Sequence, residues 1–143
     1  MPYDLIAIED FCRSEGLRCE RTSPEEIRVR VRGNIDLCIA NTEEGTDTYL
    51  GFSDGTWHTH GEATIMTGPD TYVELDPVGV LAGLRAGDLL IASRYLHGDL
   101  KDRWIFHRSE RQDFQYFEAG ESITVQRADP VGTDNSGASP IRV

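Results

Sequence analysis

Apolar and polar side chains alternate strictly along two neighbouring stretches of the chain, residues 26–32 and 35–41. A period of two is typical of β-strands with one buried face. In the first stretch the pattern predicts three inward residues (Ile27, Val29 and Val31) and three outward residues (Arg28, Arg30 and Arg32). In the second it predicts three inward residues, Ile35, Leu37 and Ile39.

The Gly33-Asn34 pair between the two stretches predicts a hairpin turn. A two-residue turn would set the apolar rows on opposite faces, whereas a three-residue loop over 32–34 sets Val31 opposite Ile35. Burial of one face specifies the register of a strand pair. We therefore predict the three-residue loop, which also places Arg30 opposite Asp36.

Two segments have the pattern and the end signals of helices. Residues 3–15 carry an apolar stripe, and Gly16 follows them as an end signal. Residues 77–86 begin with a proline, follow the capping residue Asp76 and precede Gly87. We predict a helix in each segment.

The remaining apolar segments predict further strands, joined by short loops. These strands are expected at 47–52, within 57–66 (one strand, or two short ones broken at Gly61), and at 89–96, 101–108, 114–117 and 122–127. Short connections favour antiparallel pairing. The expected fold class is α+β, with a largely antiparallel sheet on which an N-terminal helix and a short central helix pack.

Length and composition predict one globular domain, residues 1–128, followed by a mobile tail, 129–143. The chain has 143 residues, which suits a single domain, and the tail is rich in Pro, Gly, Thr, Asn and Ser without a core pattern. The N-terminus has no signal-peptide pattern and no segment has the length of a membrane span. The three cysteines form no Cys-x-x-Cys pair, so we expect reduced thiols and a cytoplasmic location.

The net charge of −11 is concentrated in one part of the sequence. Residues 33–84 contain nine acids and no Lys or Arg, whereas the flanking segments 1–32 and 85–143 are each at −1. Such a field repels nucleic acid and anionic membranes and attracts basic proteins. We therefore expect a basic protein partner and no interaction with nucleic acid or membrane.

The segment 55–62, Gly-Thr-Trp-His-Thr-His-Gly-Glu, is the sharpest local motif. On a strand, His58, His60 and Glu62 would point to one side, and imidazoles with a carboxylate are ligands for divalent metals. The segment resembles the first half of a cupin motif, although the Glu follows the second His more closely than it does in cupins. This resemblance implies a small metal-binding protein or metal-dependent enzyme, while a solvent-exposed polar strand is the alternative interpretation.

The longer segment 54–62 is similar to a Gly-x-Trp-His-x-His signature of some bacterial immunity proteins, which neutralise toxin domains. This resemblance implies a non-enzymatic binding function without a cofactor. The partner would be a basic toxin domain whose active-site cleft the chain covers with an acidic face. The expected partner-binding residues are Glu43, Glu44, Asp47, Asp54, Trp57, His58, His60 and Glu62.

Overall fold

The computed structural model describes residues 3–42, 47–110 and 119–128, and the backbone of 141–142. Within these residues it has two helices, α1 (Leu5–Ser14) and α2 (Pro77–Ala86). The strands are β1 (Arg18–Ser23), β2 (Glu26–Arg32), β3 (Ile35–Asn41), β4 (Thr48–Phe52), β5 (His58–His60), β6 (Ala63–Gly68), β7 (Thr71–Leu75), β8 (Leu89–Leu96), β9 (Asp99–His107), β10 (Glu121–Gln126) and β11 (Ile141–Arg142).

The strands form three sheets, and every strand pair among the described residues is antiparallel. The first sheet has the order β1-β2-β3-β4-β5, the second β11-β10-β8-β9, and the third is the β6-β7 pair. The predicted α+β class, with an N-terminal and a central helix, is confirmed.

The cap predicted for α2 is confirmed, and α1, which begins two residues later than predicted, is also capped by an aspartate. The Asp4 carboxylate accepts hydrogen bonds from the first turn of α1, and Asp76 accepts one from the Gly79 amide at 2.7 Å in α2. Gly87 ends α2 in the left-handed conformation, at φ 84°, which glycine adopts without a Cβ penalty. Neither helix of the described chain is long and apolar enough to cross a membrane.

The β2–β3 hairpin has the predicted register over most of its length but not the predicted loop. Arg30 lies opposite Asp36, as expected, whereas Ile35 pairs with Arg32 rather than with Val31. The predicted three-residue loop is therefore wrong. A two-residue turn closes the hairpin, and a β-bulge at Val31 restores the register that burial demands.

The bulge also changes the environment of Arg32, which the alternation predicts to face solvent. An extra residue in one strand breaks the period of two, so Val31 and Arg32 are both buried. The Arg32 guanidinium donates a hydrogen bond to the Arg127 carbonyl at 3.2 Å. The predicted exposure of Arg32 is therefore wrong.

Two strands, β1 and β7, have no counterpart among the predicted elements. Side chains along β1 are mostly polar, and four of the five residues of β7 are exposed. A period-two signal arises from burial of one face, so strands without a buried face are missed. Of the two alternatives for 57–66, the structure has the two strands broken at Gly61, which lies between β5 and β6 and has φ 73°.

The main core lies between the sheets and the two helices. It draws on the inner row of β2, β3 and β4, on one face of each helix, and on β6, β8 and β9. Its most buried members include Ile8, Cys12, Ile27, Val29, Leu37, Ile39, Leu50, Phe52, Val80, Leu81, Leu84, Leu89 and Ile91. The inward residues predicted for β2 and β3 all belong to this core.

A second, smaller cluster lies on the other face of the four-stranded sheet. Its buried members are Ala92, Ile123 and Val125, and Trp104 and Phe106 pack against them. The predicted strand at 114–117 lies outside the described residues. Most of the predicted tail does too, and its mobility stays a prediction, although the backbone of β11 pairs with Thr124 and Val125.

Candidate partner-binding surface

The two histidines of the 55–62 motif lie side by side on the outer face of the five-stranded sheet. In β5, His60 is opposite Tyr49 and His58 is opposite Gly51 of β4. Residues two apart on a strand point the same way, and the two imidazole centroids are 5.3 Å apart. Both side chains are exposed.

Tyr49 joins the two imidazoles in one aromatic cluster. Its ring stacks on His58, with centroids 5.3 Å apart and planes at 15°, and meets His60 edge-on at 5.9 Å. Gly51 makes this arrangement possible, because a Cβ there would lie 2.7 Å from the Tyr49 hydroxyl and 2.6 Å from the Trp57 carbonyl. A strand glycine often marks such a close approach.

Asp47 completes the cluster from the residue before β4. Its carboxylate lies 3.0 Å from His60 Nδ1 and also accepts the Thr48 amide at 2.9 Å. A carboxylate at one ring nitrogen orients the imidazole. Burial, followed by the neighbouring Cys38 and Asp54, raises the pKa of Tyr49 above its ordinary value.

The side chains of this outer face change from histidines on β5 to arginines on β2 and β1. One cross-strand row runs from the histidines to the arginines through His58, Gly51, Cys38 and Arg28. Burial, with smaller contributions from Glu26, raises the pKa of the Cys38 thiol to about 11, so the middle of the row is neutral. The far end is a groove of about 410 Å³, lined by Arg18, Arg28 and Arg30 among others.

Glu62 does not share the face of the histidines. β5 ends at His60, and the left-handed turn at Gly61 leads the chain away. Burial, and then the charges of Glu62 and Asp76, raises the pKa of Tyr3, which places Glu62 beside that phenol. The predicted common side of His58, His60 and Glu62 is therefore wrong, and no set of three His, Cys, Asp or Glu in the described chain is arranged to hold a metal.

Asp54 forms an ion pair within the chain. Its carboxylate contacts the Arg103 guanidinium and accepts the Thr56 hydroxyl at 2.7 Å. Arg103 is 8% exposed, lies 5.7 Å from the centroid of the Phe52 ring and donates to Ser93. Asp54 thus ties the loop after β4 to β9.

Trp57 lies apart from the aromatic cluster and is half-buried. Its ring packs on Phe52, with centroids 5.8 Å apart. It also lines a groove of about 200 Å³ together with Met66, Trp104 and Phe106. One edge of Trp57 therefore belongs to the core, and the other faces this groove.

Tertiary structure reduces the charge contrast seen in the sequence. Asp36 pairs with Arg30 at 2.5 Å and Asp54 with Arg103, so two acids of the 33–84 segment are neutralised by arginines from outside it. Glu43 and Glu44 lie outside the described residues. The other described acids of the segment make no ion pair with Lys or Arg of the described chain: Asp47, Glu62, Asp70, Glu74 and Asp76.

Comparison of the chain with protein families, curated proteins and solved structures finds no significant match. Sequence reasoning brought together His58 and His60, but it did not include Gly51 or the arginines of the same face. These residues are brought to one face by the register of β2 to β5, which depends on pairing between separate segments of the sequence.

Proposed function

We propose that the chain is a non-enzymatic protein-binding module of the immunity type, which inhibits a basic partner protein by covering its active-site cleft. The observation that carries the proposal is the cluster of the exposed His58 and His60 with the half-buried Tyr49, which lies on a regular sheet and is bordered by Asp47. Aromatic rings held rigidly at a surface lose little entropy on binding and are typical anchors of interfaces.

Charge supports a basic partner. The chain carries a net charge of −11. The acids that make no ion pair with Lys or Arg of the described chain are exposed or half-buried: Asp47, Glu62, Asp70, Glu74 and Asp76. A field of this sign accelerates the encounter with a positive surface, while the rings slow dissociation. In this proposal Asp47 contributes to both effects, because it orients His60 and carries a negative charge.

The other predicted residues take different roles in the proposal. Trp57 offers one ring edge at the groove beside Met66 and serves as a secondary anchor. Asp54 supports the loop that precedes β5 through Arg103, and Glu62 contributes charge from a neighbouring surface. The three cysteines are free thiols, which agrees with the reducing cytoplasm that we propose as the location of the protein.

The metal-site alternative loses its third ligand in this geometry, because Glu62 lies beside Tyr3 rather than beside the imidazoles. Asp47 lies beside His60, yet no three His, Cys, Asp or Glu of the described residues converge as a metal site, and a divalent ion needs three or four converging ligands. The experiment therefore also includes the metal content of the purified chain.

The experiment measures binding of the chain to the product of the adjacent gene, together with inhibition of that product's activity. We expect Tyr49→Ala/His58→Ala to raise the dissociation rate at least tenfold, as for a desolvated anchor. The matched control is Arg18→Ala/Arg28→Ala, at the opposite end of the same sheet face, which should change that rate less than twofold. Thermal melts of both variants exclude unfolding as the cause.

Two results would overturn the proposal. One is tight binding that the aromatic-cluster variant leaves unchanged. The other is stoichiometric zinc, manganese, iron or nickel in the purified chain that is lost from His58→Ala/His60→Ala, which would establish the metal-binding alternative.

A further inference from the structure

β7 is exposed at four of its five residues, although its partner β6 contributes Ala63 and Ile65 to the main core. β7 pairs with β6 on one side, and no strand of the described chain pairs with its other side. We propose that this open edge of β7 docks an extended basic strand of a partner protein, which adds to the sheet by antiparallel or parallel β-pairing.

An open edge presents a row of unpaired backbone N–H and C=O groups, which is a template for another strand. Proteins usually protect such edges with Lys, Pro or a very short strand. The five residues of β7, Thr-Tyr-Val-Glu-Leu, contain neither Lys nor Pro. A two-stranded hairpin is marginal by itself, so a third strand would also stabilise it.

Apolar exposure is concentrated at the same place. Four large apolar side chains of the described residues are strongly exposed, and three of them lie on this hairpin: Met66 at 42%, Tyr72 at 60% and Val73 at 38%. Met66 and Tyr72 are paired across the two strands and form one apolar strip. Such a strip gives an added strand apolar contacts as well as backbone hydrogen bonds.

The negative charge around the open edge of β7 favours a basic partner strand. Glu74 lies within β7 and Asp70 in the turn before it, and both are exposed. No Lys or Arg occurs in residues 33–84. A strand that alternates Lys or Arg with apolar residues would be complementary, whereas a second copy of the chain, itself at −11, would be repelled.

Neither edge of the five-stranded sheet offers the same chemistry. β1 carries Glu20 between Arg18 and Arg21, so its charge does not favour a basic strand, and β5 at the other edge is only three residues long. β7 combines a five-residue open edge with exposed acidic and apolar side chains.

The inference rests on the proposed function only in taking a basic protein as the partner, and its test does not need that partner. The probe is a capped synthetic heptapeptide, Lys-Val-Lys-Val-Lys-Val-Lys, and its control replaces every Lys with Glu. Fluorescence anisotropy with the full chain gives the affinity, and hydrogen–deuterium exchange locates the bound strand. We expect the basic peptide to bind at least tenfold more tightly than the acidic one and to slow amide exchange in residues 71–75.

Matched variants separate strand pairing from general attraction between opposite charges. Glu74→Lys should weaken peptide binding at least fivefold, whereas Asp99→Lys, the same charge change at an exposed position on β9, should change it less than twofold. The same basic peptide N-methylated at every residue, which keeps its charge but has no backbone donor, tests the β-pairing independently and should bind at least tenfold more weakly.

Equal weakening by Glu74→Lys and Asp99→Lys, slowed exchange outside 71–75, or no binding of the basic peptide would overturn the inference. Concentration-dependent dimers of the unliganded chain with protected 71–75 amides would also overturn it, in favour of a second copy as the occupant. Each of these results leaves the role of Tyr49 and His58 open to its own test, so the two proposals can fail separately.

Discussion

The five-stranded and two-stranded sheets are both antiparallel, yet they differ in what covers them. In the five-stranded sheet, the inner rows of β2, β3 and β4 are buried, with Val29, Leu37 and Leu50 at 0% exposure. In the two-stranded sheet, β6 buries Ala63 and Ile65, while β7 is exposed along four of its five residues. Strand pairing alone therefore does not decide burial.

The difference shows where stability and recognition are located. Burial of apolar surface contributes roughly 25 cal/mol per Å², so the rows beneath the helices hold the fold together. The outer face of the same sheet and the open edge of β7 contribute little to the core and are free to present side chains. Both surfaces that we propose for partner binding lie in these uncovered regions.

The largest contrast is expected between two valines, one buried and one exposed, that each pair with a buried residue of the neighbouring strand. Val29 faces Leu37 in β2–β3, and Val73 faces Ile65 in β6–β7. Val29→Asp buries a carboxylate without a partner and should cost more than about 4 kcal/mol, which prevents stable folding. Val73→Asp should cost less than about 1 kcal/mol.

Circular dichroism and thermal melts of the two variants measure this contrast. If Val29→Asp melted within a few degrees of Val73→Asp, the inner row of β2 would not be the covered face. The proposed difference in burial between the two sheets would then be wrong.

A smaller effect is expected from Gly51→Ala on the outer face of the five-stranded sheet. The added methyl meets the Trp57 carbonyl and the Tyr49 hydroxyl at under 3 Å, and overpacking of this kind costs about 1–3 kcal/mol. Urea denaturation measures the loss. Tyr49→Phe/Gly51→Ala removes only the hydroxyl contact and keeps those with the Trp57 carbonyl and the His58 Cβ. Full recovery of stability in this double variant would show that these two contacts do not limit β4–β5 packing.

The smallest effect concerns the polar end of β2. The Thr22 hydroxyl donates to the Glu26 carboxylate at 2.5 Å, and this hydrogen bond is the chief cause that lowers the pKa of Glu26. A carboxyl group with a lowered native pKa stabilises the fold above its unfolded pKa, about 4.3. That contribution is lost as the pH falls through the native pKa.

Thr22→Val should therefore cost about 0.5 kcal/mol at pH 7, and the difference from the native chain should narrow as the pH falls from 5 towards 3. Urea denaturation at a series of pH values measures the difference in free energy of unfolding between the two chains. A difference that stays constant over this range would mean that Thr22 acts through packing and not through the ionised Glu26.

Most of the fold could be predicted because its signals are local. The caps Asp76 and Gly87 bound α2 as expected, and the alternation along β2 and β3 identifies the core residues of that hairpin. The bulge at Val31 could not be predicted, because it reconciles a tight Gly33-Asn34 turn with burial of both apolar rows. The Gly33-Asn34 pair favours a two-residue turn, whereas burial of both apolar rows favours a three-residue loop. The bulge at Val31 allows the two-residue turn and keeps both rows buried.

The candidate surface was predictable only in part. The period of two places His58 and His60 together, since both lie within one short strand. It fails for Glu62, because the backbone turns at Gly61. Tyr49 and Gly51 join the cluster through the pairing of β4 with β5, which depends on register between separate segments.

The sequence by itself determined the helices, the inward rows of the central strands and the excess of negative charge, since each depends on neighbouring residues or on composition. Only the tertiary structure decided which charges remain available and which edges stay open. The hairpin pattern already predicts Arg30 opposite Asp36, but nothing in the sequence pairs Arg103 with Asp54, 49 positions away along the chain. The physical reason is that electrostatic and hydrogen-bonding partners are selected by distance in the folded chain, and a linear pattern records only distance along it.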